Sequence, residues 1–176
     1  MSKAKLHKEL DTFTKDQLIE LVLNVYDSSK DAKAYFEFFL NPDADALFNK
    51  KIEAIAKEIG RSKYGYAKMR VTKIKDQIKS FANFGVGDER VGELTLQTLR
   101  MLVGMERHLN YTTTHYNFVE KLTREYIDIS VRIGNQVKGL ERLAEITDVH
   151  QLGTQYIRNK MKGWIDSQLK ELKIYL

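Results

Sequence analysis

Cysteine is absent from all 176 residues. That excludes disulfides, thiolate zinc sites and a cysteine nucleophile together, and it suits a reducing compartment. Proline occurs once, at Pro42, so little interrupts helix formation. Long apolar runs are missing as well. The stretch LVLNV at 21–25 and its neighbours fall far short of the roughly 20 residues that span a bilayer. The N-terminal MSKAKLHKEL carries lysines without the apolar stretch of a secretory signal. The expectation from these absences is a cytoplasmic protein that makes no membrane contact.

What is present is ordinary for a globular chain: 43% apolar and 30% charged residues, in a length that suits one domain over 1–176. The net charge of +5 is uneven. Residues 1–49 sum to −3, 50–81 to +7, 82–149 to −2 and 150–176 to +3. A local excess of this size marks either solvated helix faces or a surface for an anionic partner.

Apolar residues recur at three and four, the period of a helix. Thr14 and Gln17 form a capping box that opens a helix running to about 26, with Leu18, Leu21, Val22 and Val25 as its buried stripe. DSSKDAKAYFEFFL follows as a helix entered near Ser28 or Ser29. Its cluster of Tyr35, Phe36, Phe38 and Phe39 suits a helix buried between others, or one whose rings protrude into a protein interface. Asn41 and Pro42 predict the start of the next helix, which Gly60 ends in a left-handed cap. A fourth helix is expected over about 66–84, with Val71, Ile74, Ile78 and Phe81 inward. A fifth, starting near Asp88 and running to about 110, is apolar on most sides and therefore central. Helices at about 115–133, up to about 146, and from about 151 onward complete the chain, the first of these three capped by Thr114. The fold class is all-α: about eight helices in an antiparallel bundle or stacked helical hairpins.

No catalytic pattern emerges. GRSKYG at 60–65 has the glycine spacing of a phosphate loop but lacks the following Lys-Ser/Thr and the preceding strand. GVGDER at 85–90 lacks the third glycine of a dinucleotide fingerprint. His7, His108, His115 and His150 stand outside Glu-x-x-His and His-Glu-x-x-His spacings. No cofactor, metal or catalytic residue is assigned, and a non-enzymatic role is favoured. The working hypothesis is an interaction module with a protein partner, self or other. The alternative is nucleic acid or another polyanion bound by the hairpin surface at 50–81, through Arg61, Lys63, Tyr64, Tyr66, Lys68, Arg70, Lys75 and Lys79. On the expected fourth helix Lys68, Lys75 and Lys79 would share a side, and the tyrosines could stack on bases.

The stretches at 7–43 and 67–85 carry a further signal. Leu10, Gln17, Leu18, Leu21, Tyr26, Phe36, Leu40, Asn41 and Pro42, followed by Lys73, Ile78, Phe81 and Phe84, resemble a bacterial family of small all-helical proteins of unknown function. The resemblance implies the helical fold and assigns no activity.

Overall fold

The structure is a computed structural model that describes residues 1–61 and 67–173. The chain divides into two compact units, residues 1–43 and 44–176. Both are helical.

In the first unit α1 spans Lys3–Leu10, α2 Lys15–Ser28 and α3 Lys30–Leu40. The expected capping box is in place: the Thr14 hydroxyl accepts from the Gln17 amide at 3.3 Å, and the Gln17 side chain accepts from the Thr14 amide at 2.8 Å. Two orphan donors are thereby satisfied before the first turn closes. Ser29 ends α2 and opens α3, its hydroxyl accepting from the Ala32 amide at 3.3 Å. Extended backbone at this single residue separates the two helices, so they fold back on each other as a hairpin.

In the second unit α4 spans Ala44–Ala56, α5 Val71–Asn83, α6 Asp88–Met105, α7 Thr113–Arg132, α8 Gln136–Ala144 and α9 Gln155–Glu171. Helix α6 is the axis. Leu94, Leu96, Leu99, Leu102 and Val103 are fully buried on it, as its all-round apolar pattern predicts. It packs against α4, α5 and α7, and α7 in turn carries α8 and α9. Buried hydroxyls on these helices are satisfied locally: Thr98 and Thr123 each donate to the carbonyl four residues back, at 2.8 and 2.9 Å. That is the arrangement by which a helix tolerates a polar residue in a core. Ile74 and Phe81 project from α5 into the core, and Phe81 meets Phe48 edge-on at 6.0 Å. The single tryptophan, Trp164 on α9, packs on the same core.

The structure corrects the sequence reading at several places. The segment between α4 and α5 is partly extended. Strand β1 (Ile59–Arg61) pairs antiparallel with β2 (Ala67–Met69), Ile59 opposite Met69. Gly60 therefore sits in a strand rather than at a helix cap, and α5 begins at Val71, five residues later than expected. Burial of Met69 and half-burial of Ile59 anchor the ribbon to the core. Helix α4 begins at Ala44, so Pro42 precedes the helix instead of occupying its first turn. Thr112, not Thr114, caps α7. There the His115 Nδ1 accepts from the Thr112 amide at 3.2 Å. Burial pushes the His115 pKa down, which favours the neutral ring.

After α6 the chain makes a 3-10 turn, Glu106–His108. The buried Glu106 carboxylate accepts from the Tyr116 hydroxyl at 3.0 Å and from the Thr154 amide and hydroxyl at 2.9 and 3.0 Å. One side chain thus ties α6, α7 and the start of α9 together. The Tyr116 hydroxyl is pushed up to about 12, first by burial and then by the carboxylate it serves.

Candidate functional site

The basic segment at 50–81 was expected to supply a surface. Lys63, Tyr64 and Tyr66 lie outside the described residues, and Arg61 lies in β1. Lys68 is on β2, so it does not share a helix face with Lys75 and Lys79. Its ammonium donates to the Lys57 carbonyl and stands 3.9 Å from Glu58, which Arg70 approaches to 3.5 Å. The structure therefore gathers Lys68 and Arg70 around one carboxylate. Lys51 donates inward to Gln77 and Ser80 at 3.1 and 2.8 Å, and Lys75 lies over the Phe118 ring at 5.3 Å. Lys79 is exposed one turn further along α5.

A second feature lies on α6, α7 and α8, and the sequence reading missed it. A cavity of about 230 Å³ opens between them. Glu89 and Glu93 are one turn apart on α6, and Lys138 and Arg142 one turn apart on α8. Tyr126 and Ser130 of α7 form the floor. Arg142 closes on Glu93 at 2.6 Å. That hydrogen bond holds the Glu93 carboxyl below the usual carboxylate range, against the opposing effect of burial. Two glycines permit the close approach. A Cβ on Gly139 would fall 2.4 Å from the Ser130 Oγ, and one on Gly92 would fall 3.1 Å from Ile129. The available signal was a glycine inside each of two helical patterns. Among the described residues no three His, Asp or Glu side chains are grouped to hold a metal ion.

The third feature is the apolar surface of the first unit. Each residue of a helix turns by about 100°, which places Leu18, Ile19, Leu21, Val22, Leu23, Val25 and Tyr26 on an arc roughly 200° wide. Asp16, Gln17, Glu20, Asn24, Asp27 and Ser28 occupy the remainder of α2, and Lys15 at its start falls within the arc. Helix α3 covers only part of the arc. Between the two helices Tyr26 meets Phe36 at 6.4 Å, and its hydroxyl donates to Glu37 at 3.5 Å. The expected burial of Leu21, Val22 and Val25 does not occur. All three are exposed, as are Ile19 and Leu23 on α2 and Phe39 and Leu40 on α3, the last two at 69% and 72%. No residue of α1, α2 or α3 is buried. A cavity lined by Lys15, Leu18, Ile19, Val22 and Leu23 opens along α2.

Comparison of the chain with curated proteins and with solved structures returns no match. Comparison with protein families returns one, the Family of unknown function (DUF6155), which covers residues 1–162 of the 176 and so extends well past the two stretches that first carried the resemblance. The chain belongs to that family.

Proposed function

We propose that the protein is a non-enzymatic interaction module and that the α2–α3 hairpin is its contact element. One observation carries this reading: a helical unit with no buried residue exposes large apolar side chains on both helices of its hairpin. Contiguous exposed apolar surface of this kind marks an interaction site. A helical apolar face fits helices of a protein partner, which supply anchors at the same three- and four-residue spacing.

The polar arc of α2 argues for protein over a lipid surface. Membrane-lying helices carry lysine and arginine opposite their apolar face, whereas α2 carries Asp16, Glu20 and Asp27 there. The polyanion reading of the 50–81 surface draws less support, because Lys51 and Lys68 are turned to partners within the chain and Arg70, though exposed, stands beside Glu58.

The test is a photo-reactive benzoylphenylalanine placed at position 23, 39 or 79 of the full chain in cells. Protein adducts are expected from 23 and 39 and not from 79, on the second unit. Absence of protein adducts from both 23 and 39 overturns the reading.

A further inference from the structure

We propose that the occupant of the hairpin surface is a second copy of this chain, the two α2–α3 hairpins closing a four-helix bundle; this rests on the interaction reading above. Three observations point to a copy of the hairpin itself.

The first is area. Ile19, Leu23, Phe39 and Leu40 are about half to three-quarters exposed, and Leu21, Val22 and Val25 about two-fifths. At the usual sizes of these side chains they present on the order of 700 Å² of apolar surface. Each partner in a standard stable interface contributes about 800 Å². One hairpin therefore offers close to what one half of a dimer needs.

The second is where matching apolar surface exists. Among the described residues of the second unit, only Val137, Tyr156 and Leu172 are exposed large hydrophobics. They sit on α8, on α9 and just past its end, and form no stripe. Beside a cavity of about 330 Å³ lined by Ile59, Met101 and Met105, too small to cover two helices, the extended apolar stripe among the described residues is that of another hairpin.

The third is what must stay wet. Residues 1–43 carry six lysines against eight acidic residues, so two copies repel only weakly. On α2 the acids lie outside the apolar arc, where pairing leaves them in water. Two antiparallel helices related by a twofold axis to two more give the commonest oligomer symmetry and a standard bundle.

Sedimentation equilibrium on the full chain tests this. The expected mass is twice 20.5 kDa. The double variant Leu23→Glu/Phe39→Glu should sediment as a monomer, its dissociation constant raised at least about 100-fold. Emission from Trp164 should stay unchanged, which shows that the second unit remains folded. A wild-type chain that is monomeric at its highest soluble concentration overturns the proposal, as does a variant that stays dimeric. Should the variant lose its Trp164 signal, hydrogen exchange on the wild type decides. Amides of α2 and α3 must exchange faster on dilution while those of α6 hold their protection, and unchanged exchange overturns the proposal.

The outcomes separate the two readings. A monomeric wild type whose positions 23 and 39 still cross-link to other proteins removes the second copy and keeps the interaction role. A monomeric wild type that yields no protein adducts but floats with anionic vesicles removes both and points to a lipid surface.

Discussion

Residues 1–43 and residues 44–176 are both helical, yet they are stabilised differently. The second unit has a core in which Ile74, Phe81, Leu94, Leu99 and Ile157 are fully buried. The first contains no buried residue in any helix, although α2 and α3 are more apolar than every helix of the second except α4. Apolar content and burial are thus separate properties. In the first unit caps and turns define the helices, while the large apolar side chains of α2 and α3 stay exposed.

The widest gap between the units should appear on deleting a core side chain. Phe81→Ala is expected to cost about 3–5 kcal/mol in urea unfolding followed by Trp164 emission. In the same assay Leu23→Ala should cost under about 0.5 kcal/mol, because Leu23 is exposed. A loss at Leu23 comparable with that at Phe81 would erase the distinction.

A smaller effect should come from adding an atom. Gly139→Ala places a methyl group on Ser130 and is expected to destabilise the second unit by about 1–3 kcal/mol. A neutral result would show that α7 and α8 separate easily and that the cavity between them is plastic.

The ion pair in that cavity gives a pH signature. The folded pKa of Glu93 is depressed, so its contribution is fully present above the ordinary glutamate value, about 4.3, and is lost as pH falls through the folded value. The side chains of the pair are about one-third exposed, and screening limits the effect to less than about 1 kcal/mol. Glu93→Gln should flatten the acid limb of the stability curve for the second unit by that amount.

The smallest change in whole-chain stability should come from Thr14→Ala. Loss of the capping box costs α2 about 1 kcal/mol. It should appear as faster amide exchange at the start of α2, with no change in Trp164 emission. A shift in that emission would show that the two units unfold together.

Much of the helical order was legible in the sequence because caps are local. Thr14, Gln17 and Ser29 act within three or four residues, and the periodicity of α6 announces its central place. The ribbon was not legible, since two strands of three residues offer too short an alternation to outweigh the helical pattern on either side. The exposure of Leu21 and Val22 was also hidden. Periodicity states which face of a helix is apolar and is silent on what lies against it. Glu93 and Arg142 stand 49 positions apart, and only the fold joins them. The basic residues were found by composition, but composition did not reveal that Lys68 and Arg70 would converge on Glu58.

The lone indole, docked against the larger unit, has a practical consequence. A thermal melt followed by its fluorescence reports the core on which Trp164 packs, so a single clean sigmoid can coexist with an N-terminal segment that has already come apart. Far-ultraviolet ellipticity counts every helical residue and would begin to fall at a lower temperature. Where the two curves fail to superimpose, the interval between them measures the independence of the first 43 residues.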